Sequence, residues 1–258
     1  MEDNKKIVIA GSGNLATRLA LALKKVGWEI VQVYSRTESH ASELAHKIGC
    51  EFTSELDKVN RCADIYIISV KDDAISDLAE QLCDGRTHAV FLHTAGSVSM
   101  DVFMDKAKHY GVLYPMQSFS KTREVDFKEI PCFVEASDDA TLADVKAVAD
   151  SITDVVKYLD SDKRKRLHLA AVFASNLTNH CYRLAERVLT ANGLDFSLML
   201  PLIKETADKV TVMSPHEAQT GPMVRYDTNV MEMQLSLIDD ERTRQIYRLM
   251  AESIHSDY

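Results

Sequence analysis

Lys6-Ile7-Val8-Ile9-Ala10 runs without a break into Gly11-Ser12-Gly13-Asn14-Leu15-Ala16, and an apolar-periodic segment follows at once. A β-branched run, a glycine-rich turn and a helix start, in that order, leave few folds open. Each residue type in the turn has a separate job. Gly11 permits the tight turn, and Gly13 presents no side chain to a group approaching the backbone. Ala16 is small enough for the helix to pack on the strand. The first N–H groups of the helix, with its positive dipole end, then face that group. The segment reads as a strand–turn–helix for a dinucleotide pyrophosphate, with Gly11, Ser12, Gly13, Asn14 and Leu15 as contacts.

Leu15, Leu19, Ala22, Leu23 and Val26 keep helical spacing until Gly27. The next strand, Ile30-Val31-Gln32-Val33-Tyr34, ends in Ser35-Arg36-Thr37. An NAD-type site places Asp or Glu here to hold the ribose 2′-hydroxyl. The nearest acid is Glu38, whereas the Ser35 and Thr37 hydroxyls and the Arg36 guanidinium can all donate to a 2′-phosphate. The expected cofactor is therefore NADP. The alternative is that Arg36 is a solvated turn residue and the cofactor is NAD.

The 258 residues suffice for two domains with real cores. A net charge of −9 argues against nucleic acid as a partner, since phosphate backbones need a basic stripe. Five cysteines without a C-x-x-C pair suit reduced thiols in a cytoplasmic protein, and nine histidines show no metal-ligand spacing. Met1-Glu2-Asp3-Asn4 leads straight into the first strand, so no signal peptide is expected. No apolar run approaches the ~18 residues of a membrane span.

Strand and helix keep alternating. Helices are expected over residues 39–48, 55–59, 74–82 and 100–109, and strands over 51–53, 63–70, 89–93 and 111–114. This alternation implies a doubly wound, mostly parallel sheet, with ligands outside the strands' carboxyl ends. Ser69, Val70 and Lys71 follow one strand, and His93, Thr94 and Ala95 end another. The nicotinamide is expected beside these two groups. A strand at 131–135, a helix at 140–151 and a last strand at 155–159 complete a first domain of residues 1–160.

Residues 161–258 read as a smaller, all-helical domain. Its first helix, residues 162–191, spans ~30 residues or about 45 Å, a length that points to a domain or subunit interface and to a homodimer. Lys163, Arg164, Lys165 and Arg166 read as its solvated first turn. His168, Val172, Ser175, Asn176 and Asn179 follow the helical rhythm and share one face. Such a polar stripe needs partners or a ligand when buried. His168 is the first candidate proton donor, with Asn176 orienting the substrate and Lys71 and His93 in reserve. The stripe also fits a satisfied buried network. The turn-forming Gln219-Thr220-Gly221-Pro222-Met223-Val224-Arg225-Tyr226-Asp227 suits a closing loop or a structural one in which Asp227 caps the next helix.

On Gly11-Ser12-Gly13-Asn14-Leu15-Ala16, Ser35-Arg36-Thr37 and Ser69-Val70-Lys71-Asp72, the first ~120 residues resemble the nucleotide-binding half of the coenzyme F420-dependent NADP oxidoreductase and pyrroline-5-carboxylate reductase group. The whole chain is similar to an uncharacterised family that pairs a Rossmann-like domain with a helical domain of unknown function. That likeness rests on His93-Thr94-Ala95-Gly96-Ser97, Tyr114-Pro115-Met116-Gln117-Ser118-Phe119, His168 with Asn176, and Thr220-Gly221-Pro222 with Arg225 and Asp227. The terminal pattern of pyrroline-5-carboxylate reductases is absent, as is the Lys and Asn pair, one turn apart, of β-hydroxyacid dehydrogenases. The resemblance implies an NADP-dependent oxidoreductase that moves a hydride between nicotinamide and a carbonyl or imine of a small polar metabolite. A non-catalytic NADP-binding sensor or scaffold, or a fold that binds an adenosyl cofactor, remain the other readings.

Overall fold

The computed structural model describes residues 5–258; residues 1–4, on which the expected lack of a leader rests, lie outside the described residues. The described chain divides into two units, Met1–Ser175 and Asn176–Tyr258.

The first unit is built on one eight-stranded sheet in the order β3-β2-β1-β4-β5-β6-β7-β8. The strands are β1 (Lys6–Ala10), β2 (Glu29–Tyr34), β3 (Glu51–Thr53), β4 (Ile65–Ile68), β5 (Val90–His93), β6 (His109–Pro115), β7 (Cys132–Ala136) and β8 (Val156–Tyr158). All pairs are parallel except β6 with β7. Alternation within the central strands decides the layers. Ile7, Ile9, Ile65, Ile67 and Leu92 face one core, and Val8, Ala10, Tyr66, Ile68 and Phe91 the other. Both faces are apolar, so the sheet has to be covered on both sides. Helices α1 (Asn14–Lys25), α2 (Glu38–Ile48) and α4 (Asp139–Ile152) cover the first, and α3 (Ile75–Cys83) the second. Because β1 has β2 on one side and β4 on the other, the strand order reverses at β1, which opens a crevice at its carboxyl end.

Two expected helices shrink. Residues 55–59 make only the 3₁₀ turn Leu56–Lys58. Residues 100–109 make only the 3₁₀ turn Met100–Phe103, after which Asp105 adopts a positive φ of 62°. Burial of Phe103 against Phe91 and Tyr110 stops the helix, and the chain turns back so that His109 pairs with Val90.

The helix expected over 162–191 is instead α5 (Ser161–Val172), a π-helical segment Phe173–Leu177, and α6 (Thr178–Ala191). Ser175 Oγ donates to the Ala171 carbonyl at 2.6 Å, a bond that competes with the backbone ladder there. A π turn takes one residue more than an α turn. The spacing that set His168, Val172, Ser175, Asn176 and Asn179 on one stripe therefore does not run through it. The division into two compact units falls inside this segment, and α5 packs on the first unit through Arg164 and Leu167.

The second unit is helical: α6, then α7 (Leu200–Lys209), α8 (Pro215–Ala218), α9 (Thr228–Ser236) and α10 (Glu241–Ser256). Asp227 accepts from the Val230 N–H at 3.3 Å and so takes the capping role. Only Met231 and Ala251 are buried in this unit.

Candidate active site

The carboxyl ends of the strands surround a cavity of about 850 Å³, within the size range of cofactor sites. Its wall begins at the glycine turn. Gly11 stands at φ +129°, and a Cβ there would lie 2.0 Å from the Ser69 carbonyl oxygen. That approach brings the ends of β1 and β4 together and admits only glycine. A Cβ on Gly13 would meet nothing within 4 Å, and no side chain caps the N-terminus of α1. The turn thus presents open space and uncapped helix N–H groups, which is what a pyrophosphate needs.

Ser12 Oγ donates to Ser35 Oγ at 2.9 Å and ties the turn to the end of β2. Arg36 and Thr37 are exposed and line the cavity beside His40. The Arg36 guanidinium and the Ser35 and Thr37 hydroxyls beside it are donors of the kind that suit a 2′-phosphate. At the ends of β4 and β5, Thr94 Oγ1 donates to Ser69 Oγ at 3.0 Å. Val70, Lys71, Ala95 and Gly96 line the same stretch, as do Asn14 and Leu15 nearer the turn. Ser97 donates to the Asp72 carboxylate, which joins the β4 and β5 loops. Arg18 of α1 donates to the carbonyls of Ser120 and Lys121 at 2.9 and 2.7 Å, holding the loop that brings Gln117 and Phe119 to the wall.

His93 departs from the expectation. Its side chain is fully buried, stacks on Phe103 with centroids 5.8 Å apart, and does not line the cavity. Strand alternation puts it on the same side as the buried Phe91, whereas Thr94 and Ala95, just past the end of β5, line the cavity. Burial, reinforced by the Arg164 charge, pushes its imidazole down to about 3. A ring that stays neutral and buried is no proton donor at neutral pH.

His168 does reach the cavity. Its Nδ1 lies 2.9 Å from the Tyr114 hydroxyl, and the rings meet edge-on at 74°. A Cβ on Gly96 would lie 2.5 Å from that same Nδ1, so the imidazole rests directly on the Gly96 backbone. Burial raises the Tyr114 phenol, and the nearby Arg164 charge opposes the rise. The pair can hold and pass a proton between two hydrogen-bonded groups. Asn176 stands in the π-helical segment at the start of the second unit, whereas every residue lining the cavity belongs to the first.

Sequence reasoning gave no site role to Tyr114 and none to Arg164, which does not line the cavity but packs behind the pair. The aromatic at the carboxyl end of β6, just before Pro115, is the signal that points to Tyr114. Arg164, read as part of a solvated turn, is fully buried in an ion pair with Glu135. Its place four residues before His168 puts it on that residue's face.

The family described as NADP oxidoreductase coenzyme F420-dependent matches residues 6–93, and the one described as a domain of unknown function (DUF2520) matches residues 130–254. No curated protein matches the chain. Among solved structures, a "putative NADP oxidoreductase" from Bacteroides fragilis is 50% identical, with a TM-score of 0.95 and 98% of each chain covered. A protein from Thermotoga maritima is 26% identical, with a TM-score of 0.71 and 97% of each chain covered. An imine reductase from Myxococcus stipitatus in complex with NADP+ is 16% identical, with a TM-score of 0.64, covering 97% of this chain and 92% of that one, and shares the fold.

Proposed function

The chain belongs to the family that joins an NADP oxidoreductase coenzyme F420-dependent domain to the DUF2520 domain, and from that premise we propose an NADP-dependent reductase of a carbonyl or imine in a small polar metabolite. The observation that carries this reading is one cavity lined both by the glycine turn with Ser35, Arg36 and Thr37 and by the Tyr114–His168 pair. The NADP+ complex of the imine reductase supports it at the level of the fold.

The glycine turn and the α1 N-terminus hold the pyrophosphate. Ser35, Arg36 and Thr37 hold the 2′-phosphate, and the ends of β4 and β5 flank the nicotinamide. When bound, NADPH supplies the hydride. The developing negative charge on the substrate oxygen or nitrogen takes a proton from His168. In the imidazolium form Nδ1–H donates to the Tyr114 oxygen, which leaves Nε2–H for transfer. After transfer the ring is neutral and the same bond still holds its orientation. The five unpaired cysteines support a reducing, cytoplasmic setting. The exposed apolar surface of the second unit supports a homodimer.

The test begins with cofactor binding. NADPH at ~100 times its dissociation constant should stabilise the protein by about 2.7 kcal/mol. Arg36→Asp should weaken NADPH far more than NADH; equal losses would remove Arg36 from the 2′ position. A panel of carbonyls and imines with NADPH then reports turnover. His168→Ala should abolish it while leaving NADPH affinity intact. Tight NADPH binding with no turnover on any substrate would turn the reading into a non-catalytic sensor.

A further inference from the structure

Arg164 heads the fully buried large side chains, and nothing in cofactor binding uses it. A guanidinium out of water needs close partners, and these are all present. Nη1 donates to Glu135 Oε2 at 2.5 Å, and Nη2 to the Val98 carbonyl at 2.6 Å and to Ser161 Oγ at 3.1 Å. Glu135 also accepts from the Ser161 N–H at 2.9 Å and the Ser161 hydroxyl at 2.7 Å. Ser161 Oγ in turn accepts from the Met100 N–H at 2.9 Å.

This network joins β7, the loop after β5 and the first turn of α5. Two of these carry opposite sides of one contact: the loop holds Gly96, and α5 holds His168. Leu167 packs in the cluster of Val112, Tyr114 and Phe133, so residues 164, 167 and 168 form one anchored face.

We propose that Arg164 is the positioning residue of the Tyr114–His168 pair: by clamping the Val98 carbonyl and the first turn of α5 to Glu135, it holds the His168 ring on the Gly96 backbone with Nδ1 at the Tyr114 hydroxyl. The inference rests on the reading of that pair as the proton donor. Its charge also opposes the effect of burial on Tyr114, so it bears on both members of the pair. Lysine cannot replace it, because a single ammonium does not span carboxylate, carbonyl and hydroxyl with the geometry of a planar fork.

The experiment follows the ring ¹⁵N signals of His168 by NMR, which report its tautomer and hydrogen bond, in the wild type, Tyr114→Phe, Arg164→Lys and Ser161→Ala. NADPH affinity and melting temperature are measured on the same samples. Tyr114→Phe should show the signature of the lost bond at Nδ1. Folded Arg164→Lys should reproduce that signature, and Ser161→Ala should move part of the way toward it, with NADPH affinity unchanged. Wild-type His168 signals in folded Arg164→Lys would overturn the proposal, because an ion pair that only stabilises the fold leaves the ring where it is. If Arg164→Lys does not fold, wild-type signals in Ser161→Ala overturn it instead, as does a Tyr114→Phe spectrum identical to wild type. Failure of the wild type to bind NADPH would count against the proposed function, while the His168 signals would still judge the clamp.

Discussion

At Gly96 one methyl group would collide with the His168 ring, whose Cβ would lie 2.9 Å from the added carbon and whose Nδ1 would lie 2.5 Å from it. Rotating the ring does not relieve a clash that reaches its own Cβ, so α5 would have to move. Gly96→Ala should therefore cost roughly 1–3 kcal/mol, as overpacking does, and abolish turnover by parting His168 from Tyr114. Wild-type melting and turnover would refute that contact. His93 gives a prediction of a different kind. Its folded-state value of about 3 lies below the ordinary 6.5, so below pH 6.5 the unfolded chain binds a proton that the folded one refuses. Stability should fall by about 1.4 kcal/mol per pH unit as pH drops from 6.5 toward 3. His93→Gln should flatten the melting temperature between pH 6.5 and 4 by one proton's worth. An unchanged slope would mean that His93 is not the group responsible.

At the scale of elements, α1 supplies its uncapped N-terminus to the cavity while its apolar face packs on the core. Gly13 is exposed with open space where a side chain would go. Gly13→Asp should leave the fold intact and even favour the helix, since a carboxylate suits the dipole there. The same charge would occupy the phosphate's place, so NADPH affinity should drop at least about tenfold, or 1.4 kcal/mol. Unchanged binding by titration calorimetry would move the pyrophosphate away from α1. Most strands and helices were legible along the chain because β1, β4 and β5 are apolar on both faces and α1 keeps an apolar stripe. The helix expected over 100–109 failed although its apolar spacing fits. Pairing of His109 with Val90 is a long-range bond that no local pattern announces. The π turn at Phe173–Leu177 was missed for a related reason, since its backbone shift leaves no mark in residue type.

At the scale of the whole molecule, the two units are unequal. The first buries continuous cores on both sides of its sheet, whereas residues 176–258 bury only Met231 and Ala251. Leu198, Leu202, Val212, Leu237 and Leu249 are each more than half exposed. Eighty-odd residues of helix with so little apolar burial do not offset their chain entropy alone, so this unit needs further apolar cover. A second copy related by a two-fold axis is the commonest cover for such a surface. Light scattering at micromolar concentration should therefore report a homodimer; a particle of 28.9 kDa would exclude it.

Residue order alone determined the alternating strands and helices, the glycine turn and the hydroxyl–guanidinium set at the end of β2. Those features are local: Gly11, Gly13 and Ala16 act within one turn, and Ser35, Arg36 and Thr37 within one strand end. Tertiary structure alone brought together the pair proposed to transfer the proton. Tyr114 and His168 are 54 positions apart, and Gly96 lies in a third segment, so their meeting depends on which strands neighbour one another and on how α5 docks. Arg164 and Glu135 could not be paired from sequence for the same reason. A charged residue in a run of lysines and arginines looks solvated until the sheet places a buried carboxylate beside it.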